Sequence, residues 1–169
     1  MKKMNNKGFS LVELIIVIAI MAILAGAIAP ALIRYIDKSR KSNDVSSGKT
    51  IKTAVETAMG NEAAYEEITN TGSGSVLTIP QNASNSSQIT CTATISSDTK
   101  DEIFNNIGEK APKIKYKKNG ATTFYVVASG KGTVSVWIGQ TAPSTSETGT
   151  RTSDGKTFQL SPELDKEYQ

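Results

Sequence analysis

The 169-residue chain has no histidine, a single cysteine and one tryptophan. Without His it lacks the side chain that most often serves as a general base near neutral pH and most often ligates transition metals. A lone Cys91 allows neither an internal disulfide nor a thiolate-rich zinc site. His-dependent hydrolases and most metalloenzyme classes are therefore disfavoured. Excess charge is scarce too: 19 Lys+Arg against 16 Asp+Glu gives a net charge of +3, a weak basis for a nucleic-acid partner at this length. There is no phosphate-binding loop, and nothing marks any serine as a nucleophile. The sequence thus offers no catalytic residue, no cofactor site and no metal site.

What is present is a long apolar run. Lys2, Lys3 and Lys7 are the only charges before Gly8, and from Phe9 to Ile33 only Ser10 and Glu13 interrupt the apolar character. Leu14 to Ile33 carries no charge, and 20 residues at about 1.5 Å rise cross a hydrocarbon core of about 30 Å. One membrane span is predicted. A cleavable secretory signal, cut near Ala25-Gly26-Ala27, is the competing interpretation. Glu13 counts against it, because a carboxylate costs roughly 2.5 to 3.5 kcal/mol at the centre of a membrane helix, less toward the interface, and asks for a reason. A lipoprotein anchor is excluded by the position of Cys91.

The run Lys7-Gly8-Phe9-Ser10-Leu11-Val12-Glu13-Leu14 follows a short basic leader and opens an apolar span containing Pro30. It resembles the class III signal of type IV pilins and the related secretion pseudopilins, in detail over about the first 35 residues. The resemblance implies that a prepilin peptidase removes residues 1–8, cutting between Gly8 and Phe9 on the cytoplasmic side, and N-methylates Phe9. The methyl donor serves that enzyme, so no cofactor of this chain is implied. Residues 9–35 would form a transmembrane helix that becomes filament core, and 36–169 an extracellular headgroup including the amphipathic half of the helix. Glu13 would pair with the charged Phe9 amine of a neighbouring subunit during filament assembly. Two plainer roles stand beside that one: a marker of the cytoplasmic interface, or a pair with Phe9 four residues away on the same helix. Pro30 removes a backbone donor and crowds the carbonyl of Gly26, so Gly26 and Pro30 are expected to kink or loosen the helix, and by resemblance to let it bend or melt in a filament. The implied partners are further copies of the chain in a helical homo-oligomer, prepilin peptidase, an assembly platform and ATPase, minor pilins, and the membrane before assembly, with the amino terminus inside. Many pilins staple the C-terminal region with a disulfide. This chain does not, and in that it resembles the disulfide-free pilins of Gram-positive bacteria.

Beyond the span lies a mainly basic collar from Arg34 to Lys41, its field diluted by Asp37 and Asp44. Ile51, Ala54, Val55, Ala58 and Met59 fall at helical spacing, so one helix from near Phe9 to about residue 60 is predicted, on the order of 75 Å at 1.5 Å per residue. Ala63 to Ile68 either extends it or forms a short piece after Gly60. Short strands are expected at Val76 to Ile79 and Gln88 to Ile95, and a helix capped by Asp98 through Ile107. Lys113 to Lys117 alternates, Asn119-Gly120 reads as a hairpin turn, and Thr122 to Ala128 and Thr133 to Ile138 read as strands joined by a turn over Ser129 to Gly132. The tail from Gln140 to Thr157 reads as a surface loop, with Phe158 to Leu160 an edge strand. The fold class is α+β: a long N-terminal helix whose amphipathic half covers a small antiparallel sheet.

The remaining candidate sites have plain alternatives. Asn82 and Asn85 match a glycosylation acceptor pattern in what reads as a polar loop. Asp154, Glu163, Asp165 and Glu167 lack calcium-loop spacing and read as a solvated acidic end. Lys115, Lys117 and Lys118 read as outward lysines that discourage pairing at a sheet edge. The resulting expectation is a structural subunit, of major type, of a type IV pilus supporting adhesion, motility or aggregation. A pseudopilin of a type II secretion or DNA-uptake machine shares every N-terminal residue used, and a membrane-anchored extracellular enzyme is the more distant rival. Removing Lys2, Lys3 and Lys7 leaves 16 basic and 16 acidic side chains, so the charge excess belongs to the leader.

Overall fold

A computed structural model describes residues 9–147 and 149–169. The chain divides into two compact units, one ending at Lys38 and one comprising Ser39–Gln169. The first is helical from Leu11 onward, and helix α1 (Leu11–Ala58) passes without a break through Gly26 and Pro30.

In the second unit the buried residues of α1 are Asp44, Gly48, Ile51, Ala54, Val55 and Ala58, a stripe with helical period. Gly48 lets this stripe lie close to the sheet, since a Cβ there would sit 2.9 Å from Leu160 Cδ1. The chain turns at Gly60, and Asn61 caps a separate helix, α2 (Glu62–Thr69), by accepting the Ala63 N–H at 3.0 Å. Thus 63–68 belongs to a second helix and does not extend the first.

The sheet has five strands, β1 (Ser75–Pro80), β2 (Thr90–Cys91), β3 (Thr123–Ala128), β4 (Val134–Gly139) and β5 (Thr157–Ser161), all antiparallel in the order β2-β1-β3-β4-β5. Alternation sends Leu77 and Ile79, Phe124 and Val126, Val136 and Ile138, Phe158 and Leu160 into one core with Ile51, Ala54, Val55 and Ala58 of α1. Helix α3 (Ser97–Ile107) adds Ile103, Phe104 and Ile107 to it. The expected α+β arrangement is what forms, and Phe158 to Leu160 lies in an edge strand.

Four local expectations change. Gln88 to Ile95 contributes only Thr90–Cys91, because the Thr92 hydroxyl takes the Val76 N–H at 2.9 Å and ends the ladder. Cys91 is a half-buried strand residue. Helix α3 is capped by Ser96, with Asp98 inside its first turn: the Ser96 hydroxyl accepts the Thr99 N–H at 3.2 Å, and Glu67 of α2 accepts from Ser96 N, Ser96 Oγ and Thr99 Oγ1. Those bonds, the Thr99 hydroxyl foremost and the Ser96 N–H next, hold the Glu67 carboxyl below its ordinary value. Lys113 to Lys117 is extended but is no strand, so Lys115, Lys117 and Lys118 guard no sheet edge and Asn119-Gly120 closes no hairpin.

The acidic end is the fourth correction. Asp165 is 3% exposed and sits 2.8 Å from Arg151 Nη2, while the Arg151 guanidinium lies 4.6 Å from the centre of the Phe158 ring. Burial pushes the Asp165 carboxyl up, but bonds from Arg151, the Glu167 N–H and Thr150 outweigh it and leave it below the usual range. Asp154 accepts from Thr152, Lys156 N and Thr141, which lower its pKa to about 2. Glu167 accepts the Tyr116 hydroxyl at 2.9 Å and lies 3.7 Å from Lys41 Nζ. Only Glu163 among the four is simply exposed.

The turn between β3 and β4 carries a steric demand. A Cβ on Gly130 would collide with the backbone carbonyl of Gly72. Gly130→Ala is expected to lower the head's stability by about 2 kcal/mol, in the range of overpacked sites. Urea titration of the full chain in detergent measures it, with Gly26→Ala as the control, since a Cβ on Gly26 meets nothing within 4 Å.

Candidate functional site

Every described residue from Phe9 to Ile36 is exposed, including Phe9 at 85% and Ile23 at 73%. A stretch of this length covered in Leu, Ile, Val and Met far exceeds the apolar patch a soluble monomer presents to water. This helix is long and apolar enough to cross a membrane, and its most apolar window buries nothing within the chain. Its surface asks for cover by lipid or by other helices.

At its start, Ser10 stands in the cap position, since its carbonyl accepts the Leu14 N–H at 3.2 Å. Glu13, three residues on, reaches back and accepts the Ser10 N–H on Oε2 at 2.9 Å. Ser10-Leu11-Val12-Glu13 therefore has the spacing and one of the two bonds of a capping box. The carboxylate also lies in the first turn, where the helix dipole favours negative charge. The S-x-x-E pattern before an apolar run is legible in the sequence and is a role of Glu13 missing from the sequence-based expectations.

Gly8 and the rest of the leader lie outside the described residues. Gly26 and Pro30 lie within α1, and the missing Cβ of Gly26 faces open space, so no neighbour in the chain requires glycine there. A helical glycine costs about 1 kcal/mol relative to alanine, so its presence there has no intrachain explanation.

Asp44, which in the sequence reads as a charge diluting the basic collar, is fully buried. Its Oδ1 accepts the Lys115 N–H at 2.7 Å and its Oδ2 the Tyr116 N–H at 2.9 Å. This fastens the extended segment 113–117 to α1, directing Ile114 and Tyr116 inward and Lys113, Lys115 and Lys117 outward. Burial raises the Asp44 pKa, with the two N–H bonds opposing. The ring of Tyr116 meets that of Tyr168 edge-on at 5.8 Å, and Asn119 Nδ2 donates to the Tyr168 hydroxyl at 2.7 Å. Burial pushes the Tyr168 hydroxyl well up. An acid at the position i−4 to Gly48 and i−7 to Ile51, on the buried stripe, was the available signal.

Among the described residues, no group of three or more His, Cys, Asp or Glu side chains is placed to hold a metal ion.

Comparison with known proteins places the prokaryotic N-terminal methylation motif on residues 3–29. The chain is 42% identical over 73 residues to the type IV major fimbrial protein FimA of Dichelobacter nodosus, which covers 42% of this chain and 47% of that protein. It is 49% identical over 54 residues to fimbrial protein Q of Moraxella bovis, covering 32% of this chain and 34% of that one. With the type IV major pilin protein PilA of Myxococcus xanthus it shares 34% identity over 66 residues, 39% of this chain and 30% of that protein. The matches thus span about half or less of the length of these curated relatives. No solved structure matches the chain.

Proposed function

We propose that the chain, which carries the prokaryotic N-terminal methylation motif on residues 3–29 and is similar to type IV major fimbrial proteins and pilins, is a pilin, a structural subunit of a type IV pilus filament, processed from a membrane-anchored precursor. The observation that carries this is the exposed apolar helix from Leu11 to Ile36, most of which lies within the methylation motif matched on residues 3–29. An apolar helix drawn out of lipid needs another apolar environment, and a bundle of like helices supplies it. A repeating heterologous contact then yields an open filament.

In this reading the precursor is held with its amino terminus inside, prepilin peptidase cuts between Gly8 and Phe9 and methylates Phe9, and an assembly platform with its ATPase extracts the subunit. Glu13 meets the amine of a neighbour's Phe9; both charges are poorly solvated there, and pairing relieves the cost of each. Gly26 and Pro30 allow the helix to loosen as it packs, and the open space at Gly26 supports a role outside the single chain. The finished filament is extracellular and built mainly of this subunit.

Immunoelectron microscopy with antibody to residues 36–169 tests the assignment. Long labelled surface filaments are expected. Their absence from expressing cells transfers the chain to the pseudopilins, and hydrolytic activity of the full chain would revive the enzyme rival. Two Glu13 variants separate its roles: Glu13→Gln keeps an acceptor for the Ser10 N–H and removes the charge, whereas Glu13→Ala removes both. Both are expected to insert and be cleaved normally while filaments fall at least tenfold. Normal filaments from Glu13→Gln would confine Glu13 to capping its own helix.

A further inference from the structure

Asn119-Gly120 is the chain's only Asn-Gly pair, and the fold uses both residues although they close no hairpin. Asn119 is half-buried and Gly120 exposed. Asn119 Nδ2 donates to the Tyr168 hydroxyl at 2.7 Å, its Oδ1 accepts the Ala121 N–H at 3.2 Å, and its backbone carbonyl accepts from Gln140 Nε2 at 3.1 Å. An ionised aspartate could not make the first of these bonds, because it has no donor. Gly120 takes φ +71°, its N–H donates to the Lys117 carbonyl at 3.0 Å, and a Cβ on it would collide with the Gln140 carboxamide. The turn therefore requires a pair whose chemistry is labile.

The lability comes from the absent side chain. With no Cβ at Gly120, its backbone nitrogen can reach the Asn119 carboxamide carbon without hindrance. The nitrogen gives up its proton and bonds to Cγ, the bond from Cγ to Nδ2 breaks, and ammonia leaves a five-membered succinimide behind. Water then opens the ring at one carbonyl or the other. The product is aspartate in the ordinary backbone or an isoaspartyl link, whose backbone is longer by one atom. Nothing is oxidised or reduced.

Each group that must move is held. Ring closure needs the Gly120 nitrogen free of the Lys117 carbonyl and the carboxamide rotated out of its bonds to Tyr168 and Ala121. Tyr168 is 3% exposed, with its ring 5.8 Å from that of Tyr116 and 6.0 Å from that of Phe158. It closes a short helical turn, Lys166–Tyr168, whose cap Asp165 accepts the Glu167 N–H at 2.8 Å and is paired with Arg151. We propose that Asn119-Gly120 is a latent self-deamidation site guarded by this C-terminal turn through the Tyr168 hydroxyl, so that release of the turn opens the site and the product keeps the turn from closing again. An isoaspartyl link displaces the carbonyl that meets Gln140 and the N–H that meets Lys117. Either product sets a carboxylate beside Tyr168, whose hydroxyl already feels the negative charges of Asp44 and Glu167. The site lies within the Ser39–Gln169 unit and does not depend on filament formation, so a failure here leaves the pilin assignment standing.

The full chain in detergent is incubated in mildly alkaline buffer beside a peptide copying residues 113–124, and residue 119 is followed by mass spectrometry with fragmentation that separates aspartyl from isoaspartyl. The chain is expected to convert at least tenfold more slowly than the peptide. Tyr168→Phe keeps the ring and loses only the hydroxyl, and is expected to convert about fivefold faster than wild type, the worth of one hydrogen bond. Gly130→Ala weakens the head without touching residue 119, and is expected to convert at the wild-type rate because the opening is local. Wild type converting as fast as the peptide overturns the proposal, as does equal conversion by Tyr168→Phe and wild type. A rise in Gly130→Ala that matches the rise in Tyr168→Phe overturns it too, since protection would then come from global folding and not from the C-terminal turn.

Discussion

Gly8→Leu is expected to leave the chain uncut. The glycine has no Cβ, so the backbone at the proposed scissile bond can approach a protease closely, and a branched side chain there blocks that approach. Intact mass spectrometry of the membrane fraction is expected to find residues 1–8 still attached and Phe9 unmethylated, with no surface filaments. The retained Lys2, Lys3 and Lys7 keep the net charge at +3, where the cut chain's side chains sum to zero, so isoelectric focusing reads the same outcome independently. A chain of normal mature mass from this variant would remove the basis for assigning cleavage to Gly8 and Phe9.

Asp44→Ala is expected to be the most damaging single change in the headgroup. It strands the N–H groups of Lys115 and Tyr116, and with one to three kcal/mol for each buried unsatisfied donor, less the carboxylate's own burial cost, the loss is about 3 kcal/mol. Asp44→Asn keeps one carbonyl acceptor and carries no charge to bury, so its loss is expected to be under about 1 kcal/mol. The pH dependence separates charge from shape. Because burial raises the folded pKa of Asp44, its proton is held more tightly in the folded chain than in the unfolded one. Its contribution is therefore fully present below the unfolded value and is lost as pH rises through the folded value. Wild type should gain on Asp44→Asn as pH falls through that window. Asp154 and Asp165, whose pKa values are lowered, act oppositely: their contribution is present above the unfolded value and fades as pH falls through the folded one. Urea midpoints of the two Asp44 variants against wild type between pH 3 and 7 check both the size and the sign, and equal losses for Asn and Ala would refute the account.

The contrast between these two residues shows where the sequence is readable. The motif around Gly8 is contiguous, and the stripe from Ile51 to Ala58 repeats every three or four residues, so neither needs knowledge of anything distant. The β3–β4 hairpin is equally local, with glycines at the turn and β-branched residues on both sides. Lys113 to Lys117 misleads because a period of two reports only that side chains alternate; it is silent on what accepts the backbone N–H groups. Here the acceptor is Asp44, 71 residues away from Lys115. Asp165 misleads for the same reason, since its partner Arg151 sits in a stretch that reads as loop. Acids at the C-terminal end look solvated until the fold shows what they face.

The bond between Glu13 and the Ser10 N–H has a consequence for how an incoming positive charge would be met. A free glutamate in the first turn samples several rotamers and must give up that freedom on forming any contact. One tethered through Oε2 at 2.9 Å has already done so. Under the proposed assembly contact, an arriving amine would find a preorganised acceptor, and less of the attraction would be spent on ordering it.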